Sequence, residues 1–147
     1  MYETILVPTD GSGGVAPAIE HALQLATTYG ATVHALYVVD ETESGAAIIG
    51  SDAGGGTRRQ RESIGTEATE AIADAADDAG VECTQAVREG TPYRVITQYA
   101  DEHDADVVVM STRGRTGVSR VLLGSVTEQV VRTTDRPVLA VSRGTET

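Results

Sequence analysis

Thr4-Ile5-Leu6-Val7-Pro8-Thr9-Asp10-Gly11-Ser12-Gly13-Gly14 is the stretch on which the fold of this 147-residue chain turns. A short apolar run meets a proline and then a polar, glycine-rich segment. It reads as a buried strand, closed by Pro8, that ends in a turn. Val15, Ala18, Ile19, Ala22, Leu25, Ala26 and Tyr29 then recur at helical spacing, and Gly30 stops the pattern. A buried strand, a glycine turn and an amphipathic helix in that order form the opening half of a strand–helix–strand unit.

The unit repeats in kind. Thr32 to Val39 is rich in β-branched and apolar residues and reads as a second strand. Residues 40–57 hold many glycines and no sustained period, which predicts a long loop of the kind often used as a lid. Ile64, Ala68, Ala71, Ile72, Ala75 and Ala79 mark a second helix ending at Gly80, with Glu67, Glu70, Asp74, Asp77 and Asp78 on its solvated face. Val81 to Arg88 reads as a third strand. Thr91-Pro92 is a helix start, with Thr91 placed to cap and Pro92 in the first helical position. Val95, Ile96, Tyr99 and Ala100 form that helix's buried stripe. Asp106 to Met110 is apolar enough to be a central parallel strand. A polar loop runs from Ser111 to about Arg120, Gly124-Ser125 opens a fourth helix, and Pro137 to Val141 is a last strand. The alternation implies an α/β fold: one domain over residues 1–147, an open parallel sheet with helices on both faces. Such sheets bind ligands beyond the carboxyl ends of their strands, where the strand order reverses. Residues 9–14 and 111–120 both follow strands, and they line one crevice if strands one and four are neighbours.

Composition narrows the chemistry. All 11 basic residues are Arg, against 22 Asp and Glu, giving a net charge of −11. The absence of Lys excludes a P-loop lysine and a Schiff-base lysine. Five Tyr and no Phe or Trp argue against a base-stacking single-strand binder, and the charge argues against nucleic acid or anionic lipid as partner. Cys83 is alone, and no ligand spacing suggests a metal. The first residues lack a leader pattern, and no run reaches the ~20 apolar residues of a membrane span. The expectation is a cytoplasmic protein. The missing Lys, doubled acids and small apolar residues favour a high-salt cytoplasm over an acidic partner-binding surface.

The charge is unevenly spread. Residues 1–110 hold five Arg and 19 acids, −14; residues 111–147 hold six Arg and three acids, +3. Arg113, Arg115 and Arg120 lie there with Gly114, Gly117 and Gly124-Ser125. Glycines admit a ligand close to backbone N–H groups, and a helix opening at Gly124-Ser125 offers unpaired N–H groups and a positive dipole end. Ser125 and Thr127 add hydroxyls. An anion, most plausibly a phosphate chain, fits. The plainer alternative is a surface loop whose arginines pair with the acidic body.

Along essentially its whole length the chain resembles the universal stress protein family. The residues that carry the likeness are Ile5 to Ser12, Tyr37-Val38-Val39-Asp40, Gly124-Ser125-Val126-Thr127-Glu128 and Arg136 to Val141. The family's nucleotide motif is Gly, two residues, Gly, nine residues, then Gly followed by Ser or Thr. Here Gly114 stands nine residues before Gly124-Ser125, and Ser111 replaces the first glycine. The resemblance implies a Rossmann-like five-stranded parallel sheet of the adenine-nucleotide-binding type, with ATP between the first and fourth strands. It implies that Asp10 approaches the ribose and Pro8 and Thr9 shape the adenine side. Val38 lies beside adenine, with Met110 and Ser111 at the fourth strand's end. Gly114, Gly124, Ser125, Val126 and Thr127 cradle the phosphates, and Arg113 pairs with one. Ser in place of glycine at 111 would be strained if that position required a positive φ.

Other residues weigh less. Asp10 superficially resembles a phosphoreceiver aspartate, but that chemistry needs further acids and a Lys. Asp10 could instead help hold Mg²⁺ on bound ATP, because hard cations favour oxygen. Ser12-Gly13-Gly14 resembles the loop of pyrophosphate-releasing ATP enzymes and then departs from it at Val15-Ala16-Pro17. His21, His34 and His103 fall on separate elements and read as helix-face or strand-surface residues. The expected function is an ATP-binding stress-response switch. The alternatives are a nucleotide-free dimeric interaction protein of the same fold and a slow ATP-hydrolysing enzyme. The last strand is apolar and unguarded, which predicts a homodimer paired through it; a further protein partner stays unnamed.

Overall fold

The computed structural model describes residues 2–11, 15–40, 58–112 and 124–142. Nine elements follow in the expected alternation: β1 (Thr4–Thr9), α1 (Ala16–Tyr29), β2 (Thr32–Asp40), α2 (Arg58–Asp78), β3 (Cys83–Gly90), α3 (Pro92–Glu102), β4 (Val107–Ser111), α4 (Ser125–Thr133) and β5 (Val138–Val141). The strands form one parallel sheet in the order β3-β2-β1-β4-β5. The order reverses between β1 and β4, so the two strands are neighbours at the switch point. The expected loop beyond residue 40 and most of the loop after Ser111 lie outside the described residues.

Strand alternation divides the core in two. Ile5, Val7, Val33 and Ala35 face one side, packed by Ala18, Ala22 and Ala26 of α1 and by Ile72 and Ala76 of α2. Leu6, Leu36, Val108 and Met110 face the other, under Ile96, Tyr99 and Ala100 of α3 and Val130 of α4. No Phe or Trp fills either layer. The alanine stripe of α1 lets that helix seat close to the sheet, replacing bulk with proximity. Each fully buried Val, Leu or Ile contributes about 1.5–3 kcal/mol relative to exposure. Gly30 ends α1 in the left-handed region, φ 70°, and its N–H donates to Ala26 O.

α2 begins at Arg58, where the expected loop of residues 40–57 ends, and its first turns, before Ile64, are polar. β3 runs Cys83 to Gly90, two residues later than expected at both ends. Thr91 occupies the cap position of α3 in extended conformation, but its hydroxyl makes no capping bond there.

Pro8 does not close β1; the strand continues to Thr9. Along the β2 side the register is unbroken from Thr4↔Thr32 to Thr9↔Tyr37. Along the β4 side it covers only Ile5↔Val107 and Leu6↔Val108. Thr4 points its backbone at β4: its carbonyl accepts from Asp106 N at 2.8 Å, and its N–H donates to Asp106 Oδ2 at 3.0 Å. Strand alternation turns the backbone of Leu6 and Pro8 the same way. Pro8 has no N–H to give to β4, and the ladder on that side ends before it. A single proline therefore keeps β1 in the sheet through β2 while letting β1 and β4 part, which opens the crevice.

Residues on separate elements meet at the seam between β2 and α3. His34 Nδ1 lies 2.7 Å from the Tyr99 hydroxyl, and the His103 ring stacks on Tyr99 at 4.0 Å. The His34 and His103 rings are 5.0 Å apart, and the Arg88 guanidinium lies 5.0 Å from the Tyr99 ring centre. Burial, and then the neighbouring His103, push the His34 imidazole below its usual range; burial raises the Tyr99 phenol. His34 and His103, read from the sequence as lying on separate elements, meet because β2 and the end of α3, distant in the chain, are adjacent in the fold.

Candidate functional site

Beyond the carboxyl ends of β1, β2 and β4 the sheet opens into a cavity of about 310 Å³. Pro8, Thr9 and Asp10 form its floor, at the point where the β1–β4 ladder has stopped. Leu36, Val38 and Asp40 of β2 line one wall with Pro92 and Ile96 of α3. Met110 and Ser111 of β4 line the opposite wall, with Gly124 to Thr127 at the start of α4. Val15 and Tyr37 complete the lining. The size and the mixture of an apolar wall with a few polar groups suit a small organic ligand.

The α4 end is built to receive negative charge. The first in-helix bond runs from Glu128 N to Gly124 O at 2.9 Å, so the N–H groups of Ser125, Val126 and Thr127 precede the helical ladder. The N-cap residue, Gly124, makes no side-chain cap bond at this terminus. Gly124 is buried and held by its own N–H, which donates to Thr112 O at 2.6 Å. Thr127, only 5% exposed, donates its hydroxyl to Ser111 O at 2.9 Å. A threonine hydroxyl has one proton, so Thr127 fixes α4 to β4 here instead of serving as a free donor. Ser125 is exposed and lines the cavity, leaving its hydroxyl for a ligand.

Ser111 carries no backbone penalty. Asp104, φ 53°, is the one non-glycine residue with positive φ among the described residues, so Ser111 lies outside the left-handed region that favours glycine. Its substitution for glycine is therefore unstrained at the backbone.

The first loop rests on an aromatic platform. Gly11 N donates to Thr9 Oγ1 at 3.0 Å, tightening the turn that carries Asp10. A Cβ added at Gly11 would meet Tyr37 Cε2 and Ile64 Cγ2 at 3.7 Å. From the α2 side, a Cβ at Gly65 would come within 2.5 Å of Tyr37 Cδ1. The Tyr37 ring is thus held between α2 and the loop bearing Asp10.

Of the twelve expected site residues, ten share this cavity: Pro8, Thr9 and Asp10 below, Val38 on one wall, and Met110, Ser111, Gly124, Ser125, Val126 and Thr127 on the other. Arg113 and Gly114 lie outside the described residues. Sequence reasoning missed Val15, Leu36, Tyr37, Asp40, Pro92 and Ile96 as lining residues. The period-two continuation Leu36, Val38, Asp40 was the available signal for β2, since it puts all three on one face. Nothing local in the sequence marks α3 as the facing wall. Among the described residues no Arg lines the cavity, and no group of three or more His, Cys, Asp or Glu could hold a metal ion. Backbone N–H groups, a helix dipole and one hydroxyl are what the described site offers to an anion, while Asp10 and Asp40 offer acceptors to donor groups.

Comparison with known proteins identifies relatives along nearly the whole chain. The profile of the universal stress protein family matches residues 1–142. The universal stress protein MJ0531 of Methanocaldococcus jannaschii is 36% identical over 146 residues, spanning 97% of this chain and 84% of that protein. The solved structure of MJ0577, a universal stress protein of the same organism, superposes with a TM-score of 0.81 at 30% identity, covering 99% of both chains. A universal stress protein solved in complex with cAMP superposes with a TM-score of 0.71 at 26% identity, covering 97% of this chain and 98% of that one.

Proposed function

The chain belongs to the universal stress protein family, and we propose that within it this protein is an adenine-nucleotide-binding regulator that takes ATP in the crevice between β1 and β4. The observation that carries the reading is the uncapped start of α4 opening onto a cavity with an apolar opposite wall. The phosphates lie against the N–H groups of Ser125, Val126 and Thr127 and the Ser125 hydroxyl. The nucleoside lies over Val38, with Asp10 at the ribose and Pro8, Thr9, Met110 and Ser111 around it. Arg113 and Gly114 belong to the same phosphate motif. The cAMP-bound relative supports an adenine nucleotide as the ligand class.

The protein acts as a switch, with turnover well below the roughly one per second at which ordinary catalysis begins. Ligand occupancy at the start of α4 changes the surface offered to a partner. Two copies pair through β5, the sheet edge, where Leu139 is 37% exposed and Ala140 is also exposed, beside an exposed Val131 on α4. The net charge of −11 without lysine suits a high-salt cytoplasm. Purification in high salt, denaturation and identification of the released nucleotide test the reading. Adenine nucleotide in stoichiometric amount supports it; a different ligand class in its place overturns it.

A further inference from the structure

α3 does two things along one face. In its first half Pro92 and Ile96 wall the crevice. In its second half Tyr99, one turn past Ile96 and 2% exposed, is pressed onto β2. The facing strand divides the same way. His34, Leu36 and Val38 alternate onto one side of β2. Leu36 and Val38 line the crevice, and His34 stands about 7 Å along the strand from Leu36, against Tyr99. Crevice wall and seam are therefore one continuous layer of α3 on β2.

The seam is built for neutral rings. His103 Nδ1 lies 3.1 Å from the Tyr99 carbonyl oxygen, which can only accept, so that nitrogen carries the ring's proton. His34 Nδ1 and the Tyr99 hydroxyl are 2.7 Å apart, with one proton on the line between them. A charged His34 has protons on both nitrogens and can no longer accept, so the Tyr99 hydroxyl would have to turn its proton away. The neighbours do not welcome the charge. The His103 ring of α3 is 5.0 Å from the His34 ring, and the Arg88 guanidinium of β3 is 5.0 Å from the Tyr99 ring centre. Glu102 of α3 also faces Tyr99, but it lies 3.8 Å from Arg88 and is shared with that cation. Asp101 and Asp104, beside His103 in the chain, are turned to Arg136. Cys83 of β3 adds a thiol that burial pushes up, and β1 sets apolar Leu6 opposite His34.

Building on the nucleotide reading above, we propose that this seam is a proton-operated latch on the crevice. With both histidines neutral, α3 lies on β2 and holds Pro92 and Ile96 in the ligand-binding wall. Protons on His34 and His103 favour an arrangement in which α3 lifts from β2 at Tyr99 and takes that wall with it. Nucleotide is therefore released as pH falls through the histidine range, near 6.5. Linkage fixes the sign and makes it reciprocal: the latched state binds more nucleotide and fewer protons, so nucleotide binding expels protons.

The test is calorimetric titration of the full chain with Mg-ATP from pH 8 to pH 5.5, in buffers of different ionisation heat, for wild type, His34→Gln and His103→Gln. Glutamine keeps a hydrogen-bond acceptor and does not charge. The terminal phosphate of ATP itself titrates near pH 6, so the reading is the difference between wild type and variants, in which that contribution cancels. Across this range wild type should lose about fivefold or more in affinity beyond what His34→Gln loses. It should also release more protons on binding near pH 6, with His103→Gln in between. Thermal midpoints at pH 8 within a few degrees of wild type establish that the fold is kept. His103 is half-buried at the end of α3, and its variant carries the test if His34→Gln does not fold. If wild type binds ATP and the variants share its pH profile, the latch is absent although the nucleotide reading stands. If wild type binds no ATP at pH 8, the nucleotide reading fails and the latch falls with it.

Discussion

The hydroxyl of Thr127 donates to the carbonyl oxygen of Ser111 across 2.9 Å. That bond ties the first turn of α4 to the end of β4, so the phosphate-facing helix terminus and the strand at the switch point move as one. Thr127→Val keeps the side-chain shape and removes the proton. It should cost about 1–2 kcal/mol by leaving the Ser111 carbonyl without this donor. It should also weaken ATP binding about tenfold by loosening the helix start. Urea midpoints and calorimetry report the two effects separately, and unchanged values in both would contradict the tie.

Gly65 is a packing glycine. A methyl group there would come within 2.5 Å of Tyr37 Cδ1, and Tyr37 is itself pinned beneath the Asp10 loop. Gly65→Ala should destabilise by about 1–3 kcal/mol. Adding Tyr37→Leu, which removes the ring, should recover part of that loss. A double variant no more stable than the sum of the two single losses would show that the ring is not what the methyl strikes.

The His34–Tyr99 seam predicts an acid-sensitive stability. His34 is held below the ordinary histidine value of about 6.5 by burial and by His103. As pH falls through 6.5 the unfolded chain takes the proton more readily than the folded one, so unfolding gains protons and stability drops. The loss accumulates between 6.5 and the lowered folded value, and is constant below it. The surrounding charges are Arg88 on β3 and Glu102 and His103 on α3, with Arg88 and Glu102 3.8 Å apart. Denaturant midpoints from pH 8 to pH 5 should slope downward in wild type and less steeply in His34→Gln. Equal slopes would mean that other groups carry the dependence.

The β5 edge predicts association. Leu139→Lys places a charge on the exposed edge strand, a device that blocks strand pairing. Sedimentation in high salt should show wild type as a dimer at micromolar concentration and the variant as a monomer with intact far-UV circular dichroism. A wild-type monomer under those conditions would remove the dimer from the account.

Much of this architecture is legible in the sequence, and the exceptions share a cause. The run Val107-Val108-Val109-Met110 gives a central strand because burial on both faces demands continuous apolarity, and β4 is that strand. Gly30 and Gly80 mark helix ends for stereochemical reasons that act within a few residues. What Pro8 does is not legible locally, because its effect depends on which neighbour its missing N–H faces. That direction is set by β4, far along the chain. Asp40 was passed over for a similar reason: its face of β2 could be read, but the α3 wall that makes this face a cavity could not. The same holds for His34 and His103, which only the packing of α3 on β2 brings to 5.0 Å. Ser111 escapes the strain of a positive φ, which among the described non-glycine residues belongs to Asp104.

The central claim is that the start of α4 receives the phosphates of an adenine nucleotide. Ser125→Asp tests it with the least disturbance to the fold, because an acid in the first turn favours the helix dipole while repelling phosphate. Calorimetric titration with Mg-ATP in high salt should give one site per chain with a dissociation constant on the order of micromolar for wild type. It should give no measurable binding for Ser125→Asp, with a thermal midpoint equal to or above that of wild type. Absence of binding heat in wild type, or equally tight binding by the folded variant, would contradict the account.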